Sequence, residues 1–462
     1  MAGLLGSLQS ARSGMTVSQM SIETTSHNIN NMNTPGYSRQ KVEQSAKSAY
    51  SYPGYNSSMG AGQLGTGVQA TDITIIRNTF YDFQFRNESH NQGKINVKYD
   101  HYTNMEKIFN EPSETSISAS IANFFSSWQE LTKNPTDVAS KDIVTQNGKY
   151  LADNISNIKE KLETLSSQAN VKLNEDVESI NDMLDQLREL DKQIKIVQGS
   201  GKSPNDLMDQ RDNVIDDLSF KMNVGNDDIK TALENGLSKV EITDSASGEK
   251  QLTLTYGNPS QTKDIPADKI SGEIQGSLEM IDKIKEYTTS LTELAKGIAT
   301  GVNQVLSGKS LDNVDGTLGT EINKDTDFFV FDEKGNPIIK VNEKYTKNPR
   351  ELNVTTDIAQ NMYKLKDEKF AIGASGEETT IDKFYNNIIQ KLGNEAQEVI
   401  RNEKNQSKIL KEIDNLRTNV SGVSLDEEMI NLVQFQHAYN ASAKVISTID
   451  SLLDVVVNGL KR

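Results

Sequence analysis

The chain has 462 residues, with 49 Lys and Arg against 65 Asp and Glu, and therefore a formal net charge of −16 at pH 7. A basic balance would favour nucleic acid as a partner, and this balance is the reverse. The absence of cysteine excludes disulfides and cysteine-ligated metal sites, and four histidines leave little material for a histidine site. No apolar run approaches a membrane span, and the N-terminus lacks the pattern of a cleavable secretory signal.

The N-terminal segment carries a heptad pattern that predicts a helix from about residue 3 to 31. Apolar or small residues recur there at alternating steps of four and three: Leu4, Leu8, Ala11, Met15, Ser18, Ile22, Thr25 and Ile29. The pattern stops at residues 30–37, where Asn33, Pro35 and Gly36 favour a turn.

The C-terminal segment carries the same pattern. Ser424 and Glu427 form a capping box that opens a helix. Its seam then runs through Leu425, Met429, Leu432, Gln436, Tyr439, Ala443, Ile446, Asp450, Leu453, Val457 and Leu460. Neither terminal seam is matched by a neighbouring helix in the sequence, so the two ends pair with each other, with other copies, or with both. Because the first helix is rich in Gly, Ser and Thr, we expect both ends to be mobile in the free monomer and ordered on assembly.

The middle of the chain is predominantly helical. Between Pro135 and Pro204 there is no proline, and the apolar periodicity predicts one very long helix or two in line. Other periodic segments predict helices near 95–109, 117–128, 206–220, 274–306 and 381–418. Alternating segments predict strands at 67–76 and hairpins over 239–256 and 328–341.

These elements predict a mainly α fold, α+β overall, with elongated and discontinuous domains. The N- and C-terminal helices would form a coiled-coil-like terminal domain of residues 1–35 and 424–462. A long-helix body would comprise 36–219, 273–309 and 356–423, with a β-hairpin near 60–77. Two small β insertions would occupy 220–272 and 310–355.

Three further patterns suggest sites and have simpler structural interpretations. Residues 60–65, Gly-Ala-Gly-Gln-Leu-Gly, match a dinucleotide fingerprint, but a loop precedes them and a strand follows, which favours a flexible loop. His437 could sense pH at a subunit contact, although a packing or surface role is the simpler interpretation. The third pattern is a set of helically spaced aspartates: Asp206, Asp209, Asp212, Asp216 and Asp217.

Those aspartates lack the glycine of a calcium loop, so we predict a solvated helix face rather than a metal site. Arg211 lies among them and is expected to pair locally, with an interdomain contact as the alternative. Nothing in the sequence assembles a catalytic triad or a carboxylate pair, and we assign no catalytic, cofactor-binding or metal residues.

Residues 26–37, Ser-His-Asn-Ile-Asn-Asn-Met-Asn-Thr-Pro-Gly-Tyr, resemble the signature shared by bacterial flagellar axial proteins of the rod, hook and hook-associated groups. The turn motif carrying this resemblance consists of Asn28, Ile29, Asn31, Thr34, Gly36 and Tyr37. Segments 205–212 (with Asp-Gln-Arg-Asp), 421–428 and 435–446 are similar to hook-associated members of the family.

The resemblance implies a structural, non-enzymatic component of the flagellum that acts at the hook–filament junction. It implies self-association in a ring or helical layer, a hook subunit below, a second junction protein above, and an export chaperone on the C-terminal helix. It also implies an extracellular location, with export from the cytoplasm through the flagellar type III route, and no cofactor, nucleic acid or membrane as partner.

In this interpretation the apolar residues of the two terminal seams carry the assembly, and the turn motif sets the angle between terminal helix and body. Two alternatives are another axial subunit such as the hook protein, and a secreted helical adhesin that binds through residues 220–350. An enzyme would need an embedded catalytic insertion, and no His-Glu-x-x-His motif is present to support one.

Overall fold

A computed structural model describes residues 2–48, 65–245, 248–314, 326–333, 335, 337–373 and 378–458. The helices in these residues are α1 (Ala2–Asn30), α2 (Thr79–Phe109), α3 (Ile117–Leu131), α4 (Val138–Gly199), α5 (Asn205–Lys221), α6 (Asp227–Glu234), α7 (Ala267–Ile270), α8 (Gly272–Leu306), α9 (Glu343–Lys347), α10 (Thr356–Lys364), α11 (Ile381–Ser421) and α12 (Leu425–Asn458). The strands are β1 (Gln40–Ala46), β2 (Val68–Ile75), β3 (Leu237–Asp244), β4 (Lys250–Tyr256), β5 (Gln261–Pro266), β6 (Phe329–Phe331), β7 (Ile339–Val341), β8 (Phe370–Ala371) and β9 (Glu378–Thr379). The mainly α fold with small β elements is confirmed.

The longest helix, α4, determines the elongated shape of the body. It is one uninterrupted helix of 62 residues, and it begins where the Asp137 side chain accepts a hydrogen bond from the Ser140 N–H. At 1.5 Å per residue it extends about 90 Å. No proline interrupts it, and its only internal glycine, Gly148, faces the Phe328 ring. Helix α8 packs along it, α2 packs on α8, and α11 packs on α2 and α8.

The body has a continuous hydrophobic core among α2, α3, α4, α8 and α11. Its centre is an aromatic cluster in which Phe124 contacts the rings of Trp128, Phe328 and Phe329, and Trp128 also contacts that of Phe328. All four side chains are at most 1% exposed. A second core joins α4 and α5 to the sheet β3–β4–β5. The body therefore forms two hydrophobic cores within the single chain.

The antiparallel sheets differ from the sequence prediction in two places. The prediction of a hairpin near 60–77 is wrong, because β2 pairs with β1, which lies much earlier in the chain. The two strands are connected by residues 49–64, which lie outside the described residues. β1 was not predicted because its sequence does not alternate between apolar and polar residues, and Val42 is its only buried apolar residue. The pair β3–β4 gains a third strand, β5, which is mostly exposed and polar and so shows no alternation.

The terminal helices α1 and α12 pack along each other, and the β1–β2 pair packs on α1. Their close approach is visible at Gly14, where an added Cβ would lie 3.2 Å from Ser442 Oγ. The most buried positions of α1 are one valine and small or polar residues: Ser13, Val17, Ser18, Ser21, Thr24, Thr25 and Asn28. Among the described helices, none combines the length and apolar character that a membrane crossing needs.

Candidate assembly surface and the junction that positions it

The predicted seam of α1 lies along α12 but is only half-buried by it. Leu4, Leu8, Ala11, Met15, Ile22 and Ile29 are all of intermediate exposure. The seam of α12 divides into two groups. Leu432, Tyr439, Ala443, Ile446 and Leu453 are half-buried, whereas Leu425, Met429 and Val457 are exposed, and Leu460 lies outside the described residues. Pairing within one chain therefore covers only part of the two seams.

Large apolar side chains remain in contact with water along this terminal pair. Those at least 43% exposed are Leu5, Leu425, Met429, Ile430, Val433, Val445, Leu452, Val455 and Val457. Removal of exposed apolar side chains from water favours association. We call these nine side chains the terminal apolar surface.

The turn motif after α1 is centred on Asn28, which is 2% exposed and uses its full hydrogen-bonding capacity. Its Nδ2 group donates to the Gln40 carbonyl at 2.9 Å and to Glu428 Oε2 at 3.1 Å. Its Oδ1 accepts from the Tyr37 hydroxyl at 2.8 Å and from the Gln40 N–H at 3.0 Å. One side chain thus ties α1, the turn, β1 and α12 together.

The turn itself is closed by short-range bonds. The Thr34 N–H donates to the Asn31 carbonyl at 2.9 Å, and the Tyr37 N–H donates to the Thr34 carbonyl at 3.2 Å. Gly36 has φ +72°, and a Cβ there would lie 1.9 Å from Asn213 Oδ1 of α5. Glycine is needed at this position both for the left-handed backbone and for the close approach of α5.

The segment after the turn binds the N-terminal half of α5. The Ser38 N–H donates to Asp209 Oδ2 at 2.8 Å, and Gln40 Nε2 donates to Asp206 Oδ1 at 2.7 Å. Asn205 Nδ2 in turn donates to the Gln40 side chain at 3.2 Å. The Asp-Gln-Arg-Asp helix therefore serves as the docking element for the chain as it leaves α1.

The beginning of α12 binds the same segment. Arg39 Nε donates to Glu428 Oε1 at 2.7 Å, and Arg39 Nη2 donates to Glu427 Oε1 at 2.9 Å. The Arg39 N–H also donates to the Ser421 carbonyl at the end of α11, at 2.8 Å. Glu427 and Glu428 thereby hold α12 to the chain that enters the body.

Beneath the turn, arginines of the body meet the aspartates of α5. Arg77 Nε lies 2.7 Å from Asp82 Oδ2, and its Nη1 lies 2.7 Å from Asp212 Oδ2. Arg86 lies 3.0 Å from Asp212 and 2.6 Å from Asp216. These side chains are one quarter exposed or less, so the ion pairs are only partly screened by water.

A third arginine closes this cluster from α11. Arg417 pairs with Asp216 and with Asp414, and its guanidinium carbon lies 4.0 Å from the centroid of the Phe85 ring. Helices α2, α5 and α11 are therefore joined at one point below the turn. We call the ion pairs of Arg77, Arg86 and Arg417 with Asp82, Asp212 and Asp216 the junction cluster.

The prediction that the α5 aspartates form a solvated face is wrong for three of the five. Asp209 and Asp216 are buried, Asp212 is half-buried, and only Asp206 and Asp217 are exposed. The reason is that their cationic partners come from distant parts of the chain. Arg211 pairs with Asp191 of α4, at 2.6 Å, rather than with the aspartates of its own helix.

Burial changes the pKa values of several junction groups. The pKa of Asp209 is raised, chiefly because the carboxyl is buried, and the Ser38 N–H and Arg77 offset this only in part. The pKa of Tyr37 is raised by burial and by the carboxylates of Asp206, Asp209 and Glu428. The Tyr37 hydroxyl consequently stays neutral and donates to Asn28 throughout the physiological range.

The remaining sequence candidates do not join this site. Residues 60–64 of the glycine-rich segment lie outside the described residues, and His437 is exposed on α12. Among the residues that the structure describes, no group of three or more His, Asp or Glu side chains is placed to hold a metal ion.

Three family models match the chain, and they match the parts that meet at this junction. The flagellar basal body rod protein family matches residues 8–37, and the flagellar basal body rod FlgEFG protein C-terminal family matches residues 417–459. The flagellar hook-associated protein FlgK helical domain family matches residues 102–322. The chain belongs to the bacterial flagellar axial proteins.

Relatives of similar length place the chain within that family. It is 28% identical to flagellar hook-associated protein 1 of Bacillus subtilis, over 98% of each chain. It is 24% identical to the protein of that name from Salmonella typhimurium, over 97% of this chain and 98% of the relative, and 22% identical to that of Escherichia coli, over 98% and 99%. The solved flagellar hook junction protein FlgK from Burkholderia pseudomallei aligns at TM-score 0.39 and 19% identity, over 54% of this chain and 47% of that one.

Sequence analysis of this axial protein found the turn motif but missed its partners. Glu428 lies 400 positions from Asn28, and Arg77, Arg86 and Arg417 are scattered over 340 positions. No local pattern connects residues so far apart. One available indication was the set of evenly spaced aspartates on α5, which is typical of a helix face that meets cations as well as of a solvated one.

Proposed function

We propose that this structural flagellar protein joins the hook to the filament through self-assembly of its terminal helices. In this account residues 1–35 and 424–462 form an inner helical layer, and the remaining helical body forms the outer wall. The protein performs no catalysis, and its role is mechanical. The relatives named flagellar hook-associated protein 1 and the matches to rod-protein families support this position in the flagellum.

The terminal apolar surface is the observation that carries the assembly mechanism. On α12 it includes Ile430 at 68% exposure and Val455 at 65%, on helices that already pair with each other in one chain. Packing against the terminal helices of neighbouring copies would remove this surface from water and drive assembly. The sequence left open pairing within a chain and pairing between chains, and in this account both occur.

The junction gives this assembly a defined geometry. Asn28 and Arg39 tie both terminal helices to one turn, and Asp209 ties that turn to α5. A load applied to the terminal pair would therefore pass into the helical body through hydrogen bonds and ion pairs rather than through a loose linker. This connection suits a protein placed between a bending hook and a stiffer filament.

The proposed neighbours are a hook subunit on one side and a second junction protein on the other. Before assembly, an export chaperone would cover the apolar face of α12, since a helix-binding groove is a suitable partner for such a face. Export would proceed from the cytoplasm through the flagellar type III apparatus without a cleavable signal. The expected mobility of both ends before assembly belongs to the same proposal.

Deletion of the gene tests this function. We expect cells that retain hooks but lack filaments, release filament subunits into the medium and do not swim, with all three defects reversed by a plasmid copy. Loss of the hooks themselves would favour the hook-subunit alternative. Normal swimming combined with reduced surface attachment would contradict the proposal and favour a secreted adhesin.

A further inference from the structure

Helix α4 carries a row of acidic residues on its exposed face. They are Glu175, Glu178, Asp182, Asp185 and Glu189, and all five are exposed at helical steps of three and four. Asp185 and Glu189 pair with Arg188 and Lys192 of the same helix. The other three have no ion pair among the residues that the structure describes. We call these five residues the acidic stripe.

Helix α11 carries the opposite charge in the same pattern. Arg401, Lys404, Lys408 and Lys411 are exposed at steps of three, four and three. Within the described part of the chain none of them makes an ion pair, although the protein is strongly acidic and Glu412 lies beside Lys408 and Lys411. We call these four residues the basic stripe.

The two stripes lie at the same height of the helical body, measured along α2. Gln406 Nε2, at the middle of the basic stripe, donates to Glu88 Oε2 at 2.6 Å. Asp176 follows Glu175, the first residue of the acidic stripe, and its Oδ1 lies 2.9 Å from Lys221 Nζ. Lys221 follows Phe220, whose carbonyl oxygen lies 2.1 Å from where a Cβ on Gly93 would be. Positions 88 and 93 of α2 differ by only about 7.5 Å in height.

The two helices also run in the same direction. Residue numbers on α11 rise as those on α2 fall, from the contact of Glu395 with Tyr102 to that of Gln406 with Glu88. Numbers on α4 likewise rise towards the junction, where Asp191 meets Arg211 of α5. At the height of the stripes, α5 packs on α4, α2 packs on α5 and α11 packs on α2, so the two stripes lie on opposite ends of this row of helices.

We propose that the basic stripe of one copy binds the acidic stripe of the next copy in the assembled layer. This inference rests on the proposed function and adds the lateral contact between helical bodies. Rotation about a common axis keeps every copy in the same direction, so α11 of one copy would run parallel to α4 of its neighbour. Equal spacing then aligns Arg401, Lys404, Lys408 and Lys411 with Glu175, Glu178, Asp182 and Asp185.

Each copy would use both stripes, one on each side, which is the head-to-tail contact that builds rings and helical layers. The stripes would act as interhelical ion pairs do at the edges of coiled coils, and would fix the register of the bodies. Contacts between exposed charges are weakened by salt, so the lateral contact is expected to loosen at high ionic strength before the apolar contacts of the terminal helices do.

Site-directed cross-linking tests this contact directly, because the native chain has no cysteine. The full-length chain carrying Lys404→Cys together with Glu178→Cys is expressed in the deletion strain, and isolated flagella are treated with a short bis-maleimide. A second pair combines Lys404→Cys with Asp182→Cys, one helical turn further along. We expect a ladder of cross-linked multimers from at least one pair.

The matched control combines Lys404→Cys with Glu160→Cys. Glu160 is exposed on the same face of α4 but lies 18 residues, or about 27 Å, from Glu178. We expect the ladder to be lost with this pair. Cells that make filaments with all three pairs, but show no more multimer with position 178 or 182 than with position 160, would overturn the inference while leaving the proposed function intact. If the unmodified chain failed to restore filaments, the proposed function would fall and this inference with it.

Charge exchange provides a second test. Lys404→Glu with Lys408→Glu should reduce swimming, and so should Glu178→Lys with Asp182→Lys. Combining the two sets restores opposite charges across the contact and should recover swimming. Recovery also shows that neither set prevents folding or export. Unchanged swimming with either set alone would contradict the inference.

Discussion

The helical body and the terminal pair are both built from long amphipathic helices, yet they bury their apolar residues to very different extents. In the body, Trp128, Phe124, Ile284 and Leu291 are completely buried. In the terminal pair, Val17 and Ile449 are the only buried apolar residues among those whose exposure the structure describes, and many others face water. The body therefore contains an extensive core of its own, whereas the terminal pair is at most half-buried at most of its apolar positions, as the proposed assembly requires.

This difference shows that a heptad seam specifies a buried surface without specifying which chain buries it. In the body, α2, α3, α4, α8 and α11 pack together and bury a shared core within the chain. In the terminal pair, two helices supply more apolar surface than they can cover for each other. We expect substitutions in the two regions to separate accordingly into effects on stability and effects on assembly.

The largest expected effect is that of Trp128→Ala in the body. Removing this fully buried ring leaves a cavity beside Phe124 and Phe328 and should cost about 3–5 kcal/mol of unfolding free energy. Ile449→Ala is the matched change in the terminal pair, and it should leave the unfolding midpoint of the body unchanged because the pair can separate locally. Urea denaturation measures both effects. It is followed by the fluorescence of Trp128 in the wild type and in Ile449→Ala, and by that of an introduced probe in Trp128→Ala. Equal losses would show that the two regions unfold as one unit.

The next effect concerns the residue that joins the two regions. Asn28→Asp replaces the Nδ2 donor by a carboxylate oxygen that faces Glu428 and the Gln40 carbonyl. We therefore expect the packing of α1 at the turn to lose about 2–4 kcal/mol of stability. Hydrogen exchange of α1 amides should become faster, while that of α4 stays unchanged. Asn33→Asp, at an exposed position of the same turn, is the control and should have little effect. Unchanged protection of α1 in the Asn28 variant would contradict the joining role.

A smaller effect is expected at Gly36. Gly36→Ala adds a Cβ that meets the Asn213 side chain in a left-handed conformation and should cost about 1–3 kcal/mol. Gly201→Ala has a similar φ, +75°, but open space around it, so it isolates the backbone strain from the clash. The rate of protease cleavage at the mutated turn, residues 30–37 or 199–204, is compared with the rate at the same turn of the wild type. Equal cleavage of the two variants would show that the contact with α5 does not hold the turn.

The smallest effect concerns pH and the body alone. Glu279 is bound by Lys94 and Lys98, and although burial opposes it, these ammonium groups hold the pKa of that carboxyl below its ordinary value. The stabilisation is therefore present above the ordinary glutamate pKa of about 4.3 and is lost as the pH falls through the lowered value. Glu279→Gln should flatten this acid dependence of the unfolding midpoint. An acid dependence identical to that of the wild type would exclude Glu279 as its source.

The sequence predicted the elements whose information is local. The seams of α1 and α12, the long α4 and the core helices α3 and α8 all follow from apolar periodicity within a single segment. Short or polar elements were missed: β1 and β5 show little alternation of apolar and polar residues, and α6 has only eight residues, too few for its apolar pattern to recur. The strand at 68–75 was found, but not its partner, since pairing depends on residues outside the segment.

The junction could be predicted only in part for the same reason. The turn motif is contiguous, so its helix stop and its Gly36 turn could be inferred. The meaning of the α5 aspartates depends on Arg77, Arg86 and Arg417, and each contributes from a different helix or loop. A single sequence contains no record of which distant arginine meets which aspartate, and the interpretation as a solvated face failed there.

The most direct test of the central claim places charge on the terminal apolar surface. A chain with Ile430→Asp and Val433→Asp is expressed in the deletion strain, beside a control with Ile143→Asp at a comparably exposed apolar position of the body. Filaments on hooks are counted by electron microscopy, and immunoblotting measures the exported protein. We predict that both chains are exported, that the control forms filaments and that the terminal variant does not. Filaments formed at the wild-type frequency by the terminal variant would contradict the account.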